Sequence, residues 1–415
     1  MNFRSIGKCR ICSHKDLKDI FDFGNLHLLG SFYRANHIKN KIKLPLNLVM
    51  CKNTNCNLIQ LKHNFNKKLL FSSYFYESST NTMMKKNLDE IAKDFHSEYK
   101  DNGVKKNYVL DIGCNDGYLL NKINNFVKVG IDPSNIRIKN KYRNIKRIYN
   151  YFPSNNKAIN KYKYAGIFSI AMFYDLENPN LFVNKVKEIL KYNGIWILEV
   201  AYTLTTLRRN SFDTVCHEHL EYYSLKNINY LMQRNGLKIF KIKTNDINGG
   251  SLRLYITHLN NEVYNDQLEF KKIQEFQKIE MKKINYFLNR FNNNIVNLKR
   301  QTVKLINKLI NKGKVIHFYG ASTKGNVIIQ FYELHKLIKI AAEVNRNKFN
   351  KYTCGTRVKI IDEKKSEMMK PDYYFILPWG FLDEFINKKR SLISTNKLKF
   401  IVPLPKLKII HSKNI

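Results

Sequence analysis

The sequence is short of acidic residues: 33 aspartates and glutamates stand against 72 lysines and arginines, a formal charge of +39. The excess is spread along helical stretches instead of forming a tail, so most of it is a solvated surface. It still sets up a field that favours anionic ligands such as a nucleotide diphosphate, a nucleic acid or a membrane surface. Long apolar runs are missing too, and no segment approaches the ~18 residues of a membrane span. Met1–Arg10 has no apolar signal core, so the expected setting is the cytoplasm. Seven cysteines in 415 residues do not make a disulfide scaffold. Four of them lie in the N-terminal segment, where metal is the better explanation in a reducing compartment. Apolar and aromatic content is that of a folded chain, and the length predicts two or three domains.

What is present begins with Cys9–Arg10–Ile11–Cys12 and Cys51–Lys52–Asn53–Thr54–Asn55–Cys56. Two such knuckles meeting in space offer Cys9, Cys12, Cys51 and Cys56 as thiolates for one tetrahedral zinc, which folds a small module with little core of its own. Unrelated buried thiols are the alternative. A closed four-thiolate site has no open position, so no chemistry is assigned to it. Tyr74–Asn81 then sets aromatic and hydroxyl side chains before an amphipathic run. The segment reads as a helix start capped by Ser or Thr, and a ligand-facing role is compatible with that. Leu88, Ile91, Ala92, Phe95 and Tyr99 follow at helical spacing.

The clearest motif is Tyr108–Val109–Leu110–Asp111–Ile112–Gly113–Cys114–Asn115–Asp116–Gly117–Tyr118. A short apolar strand delivers Asp111, and Gly113 and Gly117 allow a tight turn before a helix at about Tyr118. Further on, Val129–Gly130–Ile131–Asp132 is a second strand ending in an acid, the place where Rossmann-like sheets bind ribose hydroxyls. DxGxxxG is not the GxGxxG dinucleotide fingerprint. It resembles the first motif of class I S-adenosylmethionine methyltransferases, which bind no pyrophosphate there.

Strands are predicted at 165–171 and at 195–200, the latter introduced by Asn193–Gly194 after a helix over 180–190. The alternation predicts a parallel doubly wound sheet with its site at the carboxyl ends of the strands. Phe173–Tyr174–Asp175–Leu176 leaves one such end, and Ser211 to Ser224, with Cys216–His217–Glu218–His219 inside it, follows another. By itself that last stretch reads as a HxH zinc site or a satisfied polar loop. Asn248–Gly249–Gly250–Ser251–Leu252–Arg253 is a turn feeding a late strand, with ligand contact left open. The spacing of Ile273, Phe276, Ile284, Phe287, Leu288, Phe291, Ile295 and Leu298 predicts one long connecting helix or two. After it, Lys314 to Val327 runs strand, Gly320–Ala321–Ser322–Thr323–Lys324–Gly325–Asn326, helix, the logic of an anion-binding loop. It is not GxxxxGK[ST], so ATP hydrolysis is not implied. Strands at 338–344 and 372–377, the second before Pro378–Trp379–Gly380, complete a second, smaller Rossmann-like sheet that Val402–Pro403–Leu404–Pro405 closes.

In this order, the cysteine module, the DxGxxxG core, the HEH segment, the NGGS turn and the GASTKGN sheet resemble the sugar C-methyltransferases of deoxysugar biosynthesis, over nearly the whole chain. The resemblance implies an α/β fold in three parts: a zinc-binding module over 1–70, a class I methyltransferase domain over 71–260, and, after a helical connector over 261–311, a nucleotide-sugar domain over 312–415. It implies structural zinc on the four cysteines and S-adenosylmethionine on Asp111, Gly113, Asn115, Gly117 and Tyr174, with Asp132 on the ribose. A nucleotide-linked 4-keto sugar would lie between the middle and C-terminal domains. It would meet Asp175, Asn248, Gly249, Ser251, Arg253, Ser322, Thr323, Lys324 and Asn326. Tyr76, Glu218 and His219 match positions close to the sugar, with His219 as the base; His217 and Cys216 are the other candidates. Imidazole suits that task because its pKa lies near neutrality. Two departures stand out: Cys216 stands where the family's type example has a tyrosine, and Asp175 stands near where it has a histidine beside the sugar. Other readings are sugar O-methylation, an RNA or DNA methyltransferase, and a non-catalytic scaffold. Monomer or oligomer is left open.

Overall fold

The structure is a computed structural model that describes residues 2–34, 42–66, 70, 77–100, 103 and 106–414. No helix among the described residues is long and apolar enough to cross a membrane. Near the N-terminus, strands Leu17–His27, Lys43–Cys51 and Ile59–Leu61 form an antiparallel sheet. Leu44, Leu46 and Leu48 are buried at every second position, the pleat sending them all to one face. The fourth strand of this sheet, Glu221–Tyr222, comes from the middle of the chain and pairs with Gln60 and Ile59.

The middle sheet has seven strands in the order Leu237–Asn245, Ser251–His258, Leu190–Ala201, Tyr164–Ile170, Tyr108–Ile112, Val127–Ile131, Ile145–Ile148. The last five are mutually parallel, and the central ones, Tyr164–Ile170 and Tyr108–Ile112, are buried almost throughout because both faces are covered. The first two form an antiparallel hairpin on the Leu190–Ala201 edge, so the sheet is mixed and not wholly parallel as expected. That strand also runs through Asn193–Gly194 instead of starting after it. Strand order reverses between Tyr108–Ile112 and Tyr164–Ile170, which opens a crevice at their carboxyl ends. The helix Thr82–Glu98 covers the sheet with Leu88, Ile91, Ala92 and Phe95. Its cap is Asn81, whose side chain accepts from the Met84 amide at 3.0 Å, and not the expected Ser or Thr.

One helix of 45 residues, Gln267–Asn311, then links the middle sheet to the last. At 1.5 Å per residue it is about 68 Å long. Its buried stripe of Ile284, Phe291, Ile295, Leu298 and Ile306 joins the same core as the N-terminal strands and the C-terminal sheet. That C-terminal sheet has eight strands in the order Lys408–Ile410, Lys399–Val402, Tyr373–Ile376, Ile316–Tyr319, Ile340–Glu343, Lys359–Asp362, Tyr352–Thr353, Phe32–Tyr33. Its edge strand therefore comes from the N-terminal segment. By lending Glu221–Tyr222 in one direction and Phe32–Tyr33 in the other, the three parts are stitched together.

Candidate active site

The reversal point of the middle sheet opens a cavity of about 220 Å³. Gly113 lines it with φ at 81°, a left-handed conformation that the turn demands and glycine adopts freely. Asp132, just past the second strand, organises the turn: its Oδ2 accepts from the Asn115 amide at 2.9 Å and its Oδ1 from the Ser134 amide at 2.8 Å. Arg147 lies 3.5 Å from the same carboxylate. Asn115 Oδ1 in turn accepts from the Ser78 amide at 2.9 Å, bringing the segment before the covering helix to the pocket rim. Asp111 is buried at the pocket floor, and burial, then Asp132 and Asp116, push its carboxyl up to about 8. Acids gathered around walls of Leu119, Phe152 and Met172 suit a ligand that is part apolar and carries positive charge.

A second cavity, of about 380 Å³, lies between the middle sheet, the histidine loop and the C-terminal sheet. It shares Ala171 and Asp175 with the first, so the two spaces meet there. The loop that carries His219 is pinned on several sides. The Leu220 amide donates to the Tyr174 carbonyl at 2.7 Å, the Leu61 amide donates to the Leu220 carbonyl at 2.9 Å, and the His219 amide donates to the Cys216 carbonyl at 3.1 Å. The His219 ring packs edge-on to Tyr174 at 4.5 Å, and its Nδ1 lies 2.8 Å from the Thr214 carbonyl. A carbonyl only accepts, so Nδ1 carries the proton and Nε2 holds the lone pair. Burial pulls this imidazole down to about 4, which keeps it neutral across the physiological range. A negative charge forming beside it would raise its basicity.

Polar side chains also stand on the wall of this cavity, among apolar ones. Asp213 Oδ2 accepts from the Trp379 indole at 3.0 Å, linking the histidine loop to the C-terminal sheet. Lys324 donates to the Asn248 carbonyl at 2.8 Å and so ties the last sheet to the hairpin turn of the middle one. Ser322 caps the helix Thr323–Phe331 by accepting from the Gly325 amide at 3.0 Å. That helix start, with Thr323, Lys324 and Lys348 on the cavity wall, is an anion-favouring corner.

Cys9, Cys12, Cys51 and Cys56 converge, their sulfurs all within 4.8 Å of one another. The Cys9–Cys56 and Cys12–Cys51 separations are 3.8 and 3.4 Å. Four sulfurs around tetrahedral zinc lie about 3.8 Å apart, so the set fits that ion.

Of the predicted residues, Asp111, Gly113, Asn115 and Asp132 share the first cavity. Asp175, Cys216, Glu218, His219, Asn248, Gly249, Ser322, Thr323 and Lys324 share the second. Six predicted residues belong elsewhere. Tyr174 lines the second cavity and not the first. Gly117, at φ 80°, starts the helix Tyr118–Lys122, and a Cβ there would meet Ile138 at 2.6 Å, so it serves packing and lines neither cavity. His217 turns into the N-terminal core, its Nε2 3.3 Å from the Leu44 carbonyl and its ring 4.9 Å from Phe65. Arg253 is buried against Glu199 and Asp94, each at 2.8 Å, because a charge placed mid-sheet has to be paired. Ser251 bonds the Ile247 carbonyl at 2.9 Å within its own turn, and Asn326 donates to the Leu29 carbonyl at 2.5 Å. Tyr76 lies outside the described residues. Sequence reasoning missed Asp213, Lys348 and Trp379. The last followed a recognised strand end, which was the available signal.

Three family models match the chain in order: "Putative zinc binding domain" over residues 9–71, "Methyltransferase domain" over 84–242 and "C-methyltransferase C-terminal domain" over 246–405. The chain is 25% identical over 421 residues to C-methyltransferase NovU of Streptomyces niveus, spanning 99% of this chain and 98% of that one. Among solved structures, it is similar to magnesium protoporphyrin IX methyltransferase of Synechocystis PCC 6803 with bound SAM, with 14% identity, a TM-score of 0.32 and coverage of 42% of this chain and 79% of that one. It is also similar to the plantazolicin methyltransferase BpumL in complex with SAH and a triazolic desmethylPZN analog, with 16% identity, a TM-score of 0.34 and coverage of 44% and 87%.

Proposed function

The chain belongs to the C-methyltransferases that join a zinc-binding, a methyltransferase and a C-terminal domain, and on that premise we propose that it methylates a carbon of a nucleotide-linked keto-deoxysugar. The observation that carries this reading is the meeting of two cavities at Ala171 and Asp175, with His219 on the wall of the second and its Nδ1 held by the Thr214 carbonyl. The cavity at Asp111 and Asp132 is the place of S-adenosylmethionine, which supplies a sulfonium-bound methyl group. Asp132 presents a carboxylate for its ribose hydroxyls, and Asp111 provides negative charge for its cationic end.

On the other side, Ser322, Thr323, Lys324 and Lys348 hold the diphosphate, and the keto sugar reaches toward the joint. His219 Nε2 takes the proton from the carbon beside the ketone; the C–H electron pair becomes the enolate double bond and the carbonyl pair moves onto oxygen. S-adenosylmethionine held at Asp111 and Asp132 would supply the methyl group to that carbon, its sulfur keeping the C–S electron pair. Cavity walls set the line of approach, since the sulfonium methyl needs alignment more than activation. The zinc module keeps the histidine loop in place through the Glu221–Tyr222 strand. In this reading the setting is the cytoplasm, where reduced thiols hold their metal.

The test is incubation with S-adenosylmethionine and dTDP-, GDP- or CDP-linked 4-keto-6-deoxy sugars in deuterium oxide. A methyl-branched product with deuterium exchange beside the ketone is expected. A product whose methyl group is on oxygen by carbon NMR would replace C-methylation with O-methylation by the same lone pair.

A further inference from the structure

The joint between the cavities offers one ionisable side chain whose partner is not accounted for. Asp175 ends the one-turn helix Phe173–Asp175 that follows the strand Tyr164–Ile170, and the preceding carbonyl is held by the histidine loop at 2.7 Å. The residue faces both cavities, yet its Oδ1 is sealed from solvent and has no hydrogen-bond partner among the described residues. Glu218 Oε2 is in the same position. The groups set around Asp175 are Glu218, Cys216, Glu221 and Tyr222, and the Arg10 guanidinium is spent on Glu221 at 3.6 Å. Lys324 and Lys348 lie on the wall of the second cavity, the first bonded to the Asn248 carbonyl and the second paired with Glu343, and His219 lines it too. Two carboxyls buried beside each other do not readily both ionise. Burial first, then Glu218, push Asp175 well above the carboxylate range, and burial also raises Glu218.

We propose that the Asp175 carboxylic acid donates the hydrogen bond to the acceptor oxygen on which negative charge develops. The inference rests on the keto-sugar reading. The carbon that gives up its proton must lie at the joint to meet the methyl group, and the ketone oxygen is two bonds away, within the space Asp175 faces. A neutral acid there stabilises the enolate as an oxyanion-hole donor does. An ionised carboxylate would repel the enolate and would favour the sulfonium before transfer more than during it.

The experiment compares the full-length wild type with Asp175→Leu and Asp175→Asn, using dTDP-4-keto-6-deoxyglucose as acceptor. It follows deuterium exchange beside the ketone, methyl transfer and, by calorimetry, donor affinity. Asp175→Leu is expected to lower exchange and transfer together by about 10²–10³-fold while donor affinity stays within about threefold. Asp175→Asn still donates and is expected to lose no more than roughly tenfold. It should also lack the fall in rate that wild type shows when the acid ionises at high pH. An active wild type with Asp175→Leu equally active overturns this proposal alone, as does Asp175→Asn as slow as Asp175→Leu. If Asp175→Leu fails to bind donor, the Asn variant and its pH profile decide. A wild type that neither exchanges nor methylates overturns the keto-sugar reading, and this proposal with it.

Discussion

The middle sheet and the C-terminal sheet share one plan down to single hydrogen bonds, yet they offer opposite chemistry. In each, five parallel strands run in the spatial order fifth, fourth, first, second, third. In each, a glycine after the first strand donates to the second, Gly113 to the Ile131 carbonyl at 2.8 Å and Gly320 to the Ala342 carbonyl at 2.7 Å. An acid at the end of the second strand then folds back on the turn, Asp132 to the Asn115 amide at 2.9 Å and Glu343 to the Ala321 amide at 3.1 Å. The difference lies in two side chains. Two residues before the glycine stands Asp111 in one sheet and Phe318, fully buried in the core, in the other. Glu343, longer by a methylene, also takes the Val344 and Asn345 amides at 2.8 and 3.0 Å and Lys348 at 3.2 Å, so its charge is spent on its own loop. Asp132 keeps a face on the cavity. On the proposed reading, the backbone turn prepares a place for a nucleotide-like ligand in each sheet, and these side chains choose the sign of charge it accepts.

On the proposed reading, bond-making chemistry falls in neither sheet but in the cleft between them. The largest effect is therefore expected from His219→Asn, which should lower methyl transfer by about 10²–10⁴-fold with donor affinity intact. Its neighbour His217→Asn should barely change the rate and cost about 1–2 kcal/mol of stability. Rate assays with thermal unfolding separate the two. Next comes Asp132→Ala, expected to weaken S-adenosylmethionine by about 3 kcal/mol, more than 100-fold. Glu343→Ala should leave that affinity alone and lower the unfolding midpoint. Equal losses of donor binding in both variants would break the comparison.

A smaller, pH-dependent effect sharpens the role of Asp111. Burial holds its carboxyl up to about 8, so the free pocket keeps the proton below that pH, whereas a cationic donor wants it ionised. Affinity should weaken as pH falls below about 8, by up to roughly tenfold per unit, and level off above it. Asp111→Asn should be weaker and flat, and calorimetry in buffers of different ionisation enthalpy should count the proton that wild type releases. The smallest effect is that of the caps. Ser322→Ala should cost about 1 kcal/mol in stability and raise the acceptor KM several-fold, with donor affinity unchanged. Asn81→Ala should cost about as much and act on the donor side.

Much of this was legible in the chain. The cysteine knuckles, the glycine turn, the acid closing the second strand and the GASTKGN helix start each announce themselves because their chemistry depends on near neighbours in sequence. Four residues illustrate why the rest was not. Gly117, Arg253, Ser251 and Asn326 sit inside motifs that look ligand-facing, yet the structure gives them a packing contact, an ion pair, a turn bond and a tether. Asp213 and Trp379 were passed over because they become a pair only when distant segments meet at 3.0 Å.

The histidine loop marks the boundary. Residue types and spacing determined that two imidazoles and a carboxyl stand together in Cys216–His217–Glu218–His219, and that a base was available. Which imidazole lines the cavity was decided only by the tertiary structure. The turn closed by the His219 amide on the Cys216 carbonyl sends the two rings into different surroundings. One packs against Leu44 and Phe65 of the N-terminal part, while the other lies against Tyr174 at the wall of the second cavity. The physical reason is that burial and hydrogen-bond partners set an imidazole's role, and for His217 those partners lie far away in sequence, where no local spacing can register them.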